Sequence, residues 1–193
     1  MDIINTIKNF DTQLFLFLNS KHNEFFDFLM YWVSNKFFWI PLYLLFFYLA
    51  YQQVGRKIWL VVIAAALLIS LSDQISVHAF KNVFLRLRPC HNVLLQAKVH
   101  LLNGYCGGTY GFVSSHAANT FALAMFLSLF FRKKIKYFGL FIFSWATLVA
   151  YSRIYCGVHY PADIAAGAVV GMGIGVTVFK LYSYSHNKIS KSS

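Results

Sequence analysis

Long apolar runs separated by short polar loops dominate the chain. With their flanks, four runs are long enough for a bilayer-crossing helix, which takes about 20 residues. They cover residues 38–51, 58–80, 120–131 (or from slightly earlier) and 137–150. A fifth run, residues 164–182, has Gly167, Gly171 and Gly175 at every fourth position, a spacing that gives a helix one face for close packing. The pattern predicts five membrane-spanning helices.

The beginning of the chain is apolar but interrupted. The stretches FDTQLFLFLNS and FFDFLMYWVSN are short and are broken by Asn, Ser, Lys and His. They predict two interfacial or partly inserted helices within residues 1–35, with one additional span as the alternative. The first residues lack a basic segment followed by an apolar core and a cleavage site, so we expect no cleavable signal peptide.

Composition supports a membrane assignment. The chain is 59% hydrophobic and 12% charged, whereas soluble globular chains carry about 25% charged residues. This excludes a water-soluble domain and predicts an all-α polytopic membrane protein with five to six transmembrane helices. A net charge of +11 is compatible with nucleic-acid binding. However, the basic residues lie at the ends of predicted helices, so we expect no nucleic-acid partner.

Basic clusters predict the orientation of the helices. They lie at alternate ends of the five spans and comprise Arg56, Lys57, Arg132, Lys133, Lys134, Lys136, Lys180, Lys188 and Lys191. By the positive-inside rule these ends are cytoplasmic. The loops of residues 81–113 and 152–161 then lie together on the extracytoplasmic face. We expect a transmembrane domain of residues 36–183 and a cytoplasmic basic tail of residues 184–193.

Two of the three cysteines bracket the first of these loops. Cys90 and Cys106 form one disulfide if the loop faces an oxidising compartment, and free thiols are the alternative. Three cysteines are too few for a disulfide scaffold.

Three groups of polar residues occur in or beside the two loops. They are Lys81 and Arg88 in KNVFLRLRP, then Ser114, Ser115 and His116 ahead of the third span, and then Arg153, His159 and Asp163 in YSRIYCGVHYPAD. Each group alone has an ordinary explanation, such as interfacial anchoring of the cations or helix capping by the serines. Those explanations do not account for three cations and two histidines on one face. The gathering of these residues on one face predicts a binding or catalytic site.

The residue types in this site indicate a phosphate ligand. Lys81, Arg88 and Arg153 supply positive charge and N–H donors, and the arginines suit bidentate contact with phosphate oxygens. A helix that begins near Ser114 adds free backbone N–H groups and a favourable dipole.

Two histidines and an aspartate indicate hydrolysis of the bound phosphate. His159 and Asp163 are four residues apart, so the carboxylate could fix the imidazole tautomer and make the other nitrogen a nucleophile. His116 could protonate the leaving oxygen and then activate water. Asp163 is the only acid in or beside either loop, so no carboxylate cluster is available for Mg²⁺. A zinc site of His116, His159, Asp163 and a Cys is the competing interpretation, which three nearby cations disfavour.

The order and spacing of these residues resemble the three-part signature of the type-2 phosphatidic acid phosphatase superfamily. The matching elements are Lys81-x6-Arg88-Pro89, then Ser114-Ser115-His116, and then Ser152-Arg153-x5-His159-x3-Asp163. The resemblance implies a helical fold and a metal-independent mechanism without a cofactor, through a phosphohistidine. His159 would be the nucleophile, Asp163 its orienting partner and His116 the general acid and base. The phosphate-binding residues would be Lys81, Arg88, Ser114, the amide of Ser115, and Arg153.

One element departs from the family pattern. The second motif usually reads Pro-Ser-Gly-His, and here it reads Val113-Ser114-Ser115-His116. A serine still offers its backbone N–H, so the departure affects the loop geometry more than the chemistry.

The resemblance implies an integral membrane lipid phosphatase with its site on the extracytoplasmic face. Similarity to small bacterial members ranks undecaprenyl diphosphate first as substrate, with phosphatidylglycerophosphate, phosphatidic acid and lipid A 1-phosphate as alternatives. The expected location is the bacterial cytoplasmic (inner) membrane, with the site facing the periplasm or the cell exterior. The expected partners are a lipid phosphate and membrane lipids. A non-enzymatic carrier of phosphorylated lipids is the alternative, which polar residues gathered at one face disfavour.

Polar residues also interrupt the second predicted span. An acid within a membrane segment is costly, so Asp73, Gln74 and His78 need an explanation. His78 and Lys81 are three residues apart and would share a helix face, which predicts a polar stripe that supports Lys81. A proton path is the alternative.

Overall fold

The structure, a computed structural model, describes residues 3–191 of the 193-residue chain. The described residues form helices and loops, and one isolated bridge pairs Leu87 with Tyr110. The helices are α1 (Ile3–Asn19), α2 (Glu24–Ser34), α3 (Ile40–Val54), α4 (Ile58–Gln74), α5 (Asn82–Phe84), α6 (Ser115–Phe131), α7 (Phe138–Tyr155) and α8 (Pro161–Lys191). A π-helical segment, Ile75–Lys81, joins α4 to α5. The predicted all-α fold is confirmed.

All five predicted apolar runs are helical. Three segments are long and apolar enough to cross a membrane, namely Lys36–Phe84, Phe138–Tyr155 and Pro161–Lys191. The first has 49 residues and leaves the helical conformation at Gly55, so it contains both α3 and α4. Helix α6 is apolar and slightly shorter, with 17 residues. Many side chains on the outer surface of these helices are apolar, including Leu44, Ile63 and Leu140, as expected where helices contact lipid.

Helix α6 lies at the centre, packed against α4, α7 and α8. The predicted glycine face of α8 makes the closest of these contacts. A Cβ added to Gly171 would lie 2.2 Å from the carbonyl oxygen of Ala118, and one added to Gly175 would lie 2.5 Å from that of Ala122. At the start of both helices, Gly167 faces Ser114 in the same way, at 2.7 Å. The prediction that this face serves packing is confirmed, and it brings the N-terminal ends of α6 and α8 together.

The basic clusters lie at the opposite end of the bundle from these N-termini. Lys57, between α3 and α4, donates a hydrogen bond to Ser190 Oγ near the end of α8 (2.7 Å). Helix α6 runs from Ser115 to Phe131, so Arg132 and the lysines after it follow its far end. Loops 85–114 and 156–160 therefore share one end of the bundle, which we call the loop face.

Helices α1 and α2 are fastened to the loop face. The buried Asn19 side-chain amide donates to the carbonyl oxygens of His100 (3.0 Å) and Tyr155 (2.8 Å), and its oxygen accepts from the His100 amide (2.8 Å). Asp27 Oδ1 accepts from Tyr155 Oη (2.6 Å) and lies 2.9 Å from His100 Nε2. The two expected N-terminal helices are present, and their interfacial position and the proposed domain boundaries stay predictions.

Loop 85–114 is closed by a covalent link. Cys90 and Cys106 form a disulfide with their Cα atoms 6.0 Å apart, so the bridge is the alternative that the structure supports. Cys156 is a buried free thiol against this loop.

Candidate active site

Two of the predicted motifs meet through the backbone. Ser114 is the N-cap of α6, because its side chain accepts a hydrogen bond from the Ala117 amide (3.4 Å). The Ser114 amide donates to the carbonyl oxygen of Asp163 in the first turn of α8 (3.0 Å). The close α6–α8 contact thus places the second motif directly beside the third.

His159 and Asp163 form a buried pair at the start of α8. Nδ1 of His159 lies 3.3 Å from Asp163 Oδ2, which also accepts a hydrogen bond from the Tyr160 amide (3.0 Å). The exposed fractions are 1% for His159 and 0% for Asp163. The carboxylate accepts the proton on Nδ1, so the lone pair of the neutral ring lies on Nε2. This geometry suits a nucleophilic imidazole.

Electrostatic surroundings keep the His159 ring neutral. Burial lowers the pKa of His159 well below 6.5, and the charges of Arg88, Arg153 and Lys81 lower it further. A backbone hydrogen bond with Gly111 acts in the opposite direction and does not outweigh them. Three cations from two separate motifs therefore act on one imidazole.

The two site arginines carry unsatisfied donors. Arg88 Nε and Arg153 Nε are buried and have no hydrogen-bond partner within residues 3–191. Burial lowers the pKa of Arg88, and the charge of Asp163 raises it. A buried N–H group without an acceptor costs about 1–3 kcal/mol, so an acceptor supplied by a ligand or by water would stabilise both side chains. Phosphate oxygens suit guanidinium donors in both charge and geometry.

The remaining predicted residues line the same place. Lys81 Nζ donates to Ser115 Oγ (2.7 Å), which links the first motif to the second. His116, half-buried in the first turn of α6, interacts electrostatically with Arg153, His159 and Arg88. The structure thus brings together all eight residues proposed from the sequence: Lys81, Arg88, Ser114, Ser115, His116, Arg153, His159 and Asp163.

One expectation about the second span is wrong in its geometry. Residues 75–81 are π-helical, with i→i+5 hydrogen bonds, so residues three apart do not share a face as they do in an α-helix. His78 is exposed, whereas Lys81 is half-buried and turned to the site. Asp73 does support this region, because it accepts from Asn119 Nδ2 of α6 (3.0 Å) and its charge acts on Lys81.

Sequence reasoning missed three residues at this site. Arg86 donates to Asp163 Oδ1 (2.8 Å) and to Asp11 Oδ2 (2.6 Å). Gly111 lies so close that an added Cβ would be 3.1 Å from both Arg88 Cγ and Asp163 Oδ2. Arg86 stands inside the KNVFLRLRP stretch, and an acid in an apolar helix is a signal for Asp11. Nothing in the local sequence pairs residue 11 with residue 163.

Metal-ligand types converge at a different place. Within residues 3–191, one group of side chains could hold a metal ion. It consists of His22, Asp27 and His100, whose ligand atoms all lie within 4.8 Å of one another. That group fastens α1 and α2 to the loop face, so the zinc interpretation built on His116, His159 and Asp163 has no geometric support.

Comparison with known proteins agrees with this geometry. The model of the PAP2 superfamily matches residues 58–187, a range that includes all eight proposed site residues. The Lipid A 4'-phosphatase of Bacteroides thetaiotaomicron is 39% identical over 180 residues, which cover 92% of this chain and 78% of that protein. The Lipid A 4'-phosphatase of Porphyromonas gingivalis is 37% identical, with 92% and 75% covered. The Undecaprenyl-diphosphatase of Sulfolobus acidocaldarius is 29% identical, with 86% and 75% covered.

Solved structures show the same fold. The crystal structure of Aquifex aeolicus LpxE superposes with a TM-score of 0.61 at 23% identity and covers 88% of this chain and 94% of that one. A transmembrane PAP2 type phosphatidylglycerolphosphate phosphatase from Bacillus subtilis gives a TM-score of 0.71 at 19% identity, with 96% and 88% covered.

Proposed function

This chain belongs to the PAP2 superfamily and is a membrane lipid phosphatase, and on that premise we propose that it removes the 4'-phosphate from lipid A. The observation that carries the proposal is its similarity to two Lipid A 4'-phosphatases along 92% of its length. Undecaprenyl diphosphate, ranked first from the sequence, becomes the second candidate. The 29% identical Undecaprenyl-diphosphatase supports it less strongly.

In the proposed first step, the phosphate binds between Lys81, Arg88 and Arg153. The unsatisfied Nε donors of the two arginines, together with the free N–H groups at the start of α6, would receive its oxygens. His159 Nε2 then attacks phosphorus. As the N–P bond forms, the bond from phosphorus to the sugar oxygen breaks, and His116 gives that oxygen a proton. The lipid leaves with a free hydroxyl.

In the proposed second step, water replaces the histidine. Neutral His116 accepts a proton from water, whose oxygen attacks the phosphohistidine phosphorus while the N–P bond breaks. Inorganic phosphate is released and His159 returns to its neutral form. Asp163 stabilises the positive charge that the ring carries while it is phosphorylated, because its carboxylate accepts the Nδ1 proton. The three cations stabilise the charge on the transferred phosphoryl oxygens.

A lipid substrate suits the position of the site. The loop face ends a bundle whose outer surface is apolar, so a headgroup can enter from water while its acyl chains stay among the helices. A groove of about 480 Å³ beside Arg86 has apolar walls that include Ile7, Phe84 and Phe112. We propose that the opposite, basic end of the bundle faces the cytoplasm, so that the site would lie at the extracytoplasmic face of the membrane.

Phosphate release by the detergent-purified protein tests this proposal. The substrates are lipid A phosphorylated only at the 4' position, lipid A phosphorylated only at position 1, undecaprenyl diphosphate, phosphatidylglycerophosphate and phosphatidic acid, each with EDTA present. We expect the 4'-phosphate to be removed fastest, with His159→Ala inactive and the control His186→Ala, at the far end of α8, unchanged. Faster release from undecaprenyl diphosphate would favour the second candidate. Release that His159→Ala retains would refute the proposed nucleophile.

A further inference from the structure

The Arg86 guanidinium joins two carboxylates from distant parts of the chain. Nη1 donates to Asp163 Oδ1 at 2.8 Å, and Nη2 donates to Asp11 Oδ2 at 2.6 Å. Its carbon Cζ lies 4.0 Å from the centre of the Tyr160 ring, so one face of the guanidinium is also covered. Arg86 is therefore held on two edges and one face, a geometry that a lysine cannot reproduce.

Asp11 completes this arrangement from the side of α1. Its Oδ1 accepts a hydrogen bond from the Ala162 amide (2.8 Å), one of the free N–H groups in the first turn of α8. The Asp11 side chain is only 8% exposed. Residue 11 lies outside the range of 58–187 that matches the family model, so this contact comes from a part of the chain beyond that match.

Every oxygen of the Asp163 carboxylate has a partner as a result. Oδ2 faces His159 and the Tyr160 amide, whereas Oδ1 is bound by Arg86 alone among the hydrogen bonds of the described residues. A buried carboxylate that loses one charged partner keeps the cost of desolvation without its compensation. It responds by taking up a proton or by turning towards another donor. Either response would remove the acceptor that orients the His159 ring.

We propose that Arg86 and Asp11 form a positioning pair that holds Asp163 in the ionised, correctly oriented state that His159 needs for attack. Helix α1 is then a functional part of the enzyme rather than only an anchor. The pair acts through Asp163 and does not touch the phosphate. The inference rests on the proposed function, because it assigns the pair a role in the chemistry of that same site.

Variants of Arg86 test the pair, with Gln13→Ala on the exposed side of α1 as a control. Arg86→Gln is expected to lower kcat on the preferred lipid about 10- to 100-fold, the scale of a misplaced catalytic group, with a small change in KM. Arg86→Lys keeps the charge but cannot bind both carboxylates, so it should fall between wild type and Arg86→Gln. Asp11→Ala should lower kcat in the same direction.

The pH profile separates positioning from mere anchoring. The charged and titratable groups that interact with Asp163 are Arg86, Arg88, Lys81, His159 and Tyr160. Removing the charge of Arg86 favours protonation of Asp163, so the acidic limb of kcat/KM should move to higher pH in Arg86→Gln. Asp163→Asn combined with Arg86→Gln should be no slower than Asp163→Asn alone. If Arg86→Gln lowers the melting temperature but keeps the wild-type kcat and pH profile, the pair is only an anchor and the proposal is wrong.

Binding of orthovanadate, a phosphate analogue, keeps the two proposals distinguishable. If the wild type hydrolyses none of the lipids, the proposed function fails. The role of Arg86 and Asp11 can then still be tested by measuring vanadate affinity by calorimetry. Weaker vanadate binding in Arg86→Gln and Asp11→Ala than in Gln13→Ala would support positioning of the site by α1. Equal affinity in all three variants would overturn it.

Discussion

Replacement of Gly111 by alanine should slow catalysis without removing any functional group. The new Cβ would lie 3.1 Å from Asp163 Oδ2, 3.1 Å from Arg88 Cγ and 3.5 Å from His159 Nδ1. The two distances of 3.1 Å are shorter than ordinary contacts, so Asp163 and Arg88 must shift by a few tenths of an ångström, whereas His159 Nδ1 lies at ordinary contact distance. These two residues are the proposed orienting carboxylate and one of the proposed phosphate-binding arginines, so the strain would affect the proposed site directly.

The size of the effect follows from the cost of overpacking. Inserting one carbon into a packed site costs about 1–3 kcal/mol. If that strain must be relieved in the transition state, kcat falls about 5- to 150-fold, because each 1.36 kcal/mol corresponds to a factor of about ten. Gly108 offers a matched control in the same loop, since a Cβ added there meets nothing within 4 Å. Neither glycine has a positive φ, so both alanines are compatible with the backbone.

Steady-state hydrolysis of the preferred lipid by the two purified variants measures the difference. Gly111→Ala should show the lower kcat, while Gly108→Ala should match the wild type in rate and melt no earlier, since its alanine only restricts the unfolded chain. Equal rates for the two variants would refute the close approach of Gly111 to Asp163 on which the reasoning depends.

Three further predictions concern pH, packing and the disulfide. Because the pKa of His159 is lowered, its neutral form persists below pH 6.5, so the acidic limb of the wild-type kcat/KM profile should lie below that value; a limb above it would contradict the assignment. The unfolded chain binds this proton more readily, so stability should also fall as the pH drops below 6.5. Gly171→Ala should lower the melting temperature by an amount equivalent to about 3 kcal/mol or more, whereas Gly173→Ala, which meets nothing within 4 Å, should not; equal melting would exclude the close helix contact. Reducing the bond between Cys90 and Cys106, 16 residues apart, should cost about 3 kcal/mol of stability, and an unchanged melting temperature in reductant would show that the bridge contributes nothing.

Local periodicity and motif spacing were enough to predict much of this molecule. Apolar runs of near-bilayer length can only be helices in a membrane, and alternating basic ends place alternate loops together. Those two rules alone predict that His116 and His159 lie at one face of the membrane. The glycine repeat in residues 164–182 predicted a packing face because small residues have few other uses at that spacing.

The unpredicted features depend on contacts between distant residues or on irregular helix geometry. Asp11 and Asp163 meet only because α1 folds back on the start of α8, and no local pattern encodes that path. His78 was misplaced because the π-helical segment changes which residues share a face. The choice between a disulfide and free thiols depended on the fold of the whole loop that Cys90 and Cys106 close.

The distribution of satisfied and unsatisfied donors suits the proposed binding of a phosphate. Arg86 and the Tyr160 amide both donate to the Asp163 carboxylate, and the Asp163 carbonyl oxygen accepts from the Ser114 amide. These bonds join the starts of α6 and α8, beside which the two histidines lie, into one unit. Arg88 and Arg153, by contrast, keep buried Nε donors without partners. Orienting the groups in advance lowers the cost of binding, because little freedom is lost when the ligand arrives. The oxygens of a phosphate would accept from these unpaired donors more strongly than a neutral headgroup would, because hydrogen bonds between charged groups are the stronger ones. We therefore expect selectivity for phosphate to depend on the unpaired arginine donors, and the chemistry to depend on Asp163, whose two carboxylate oxygens both have partners.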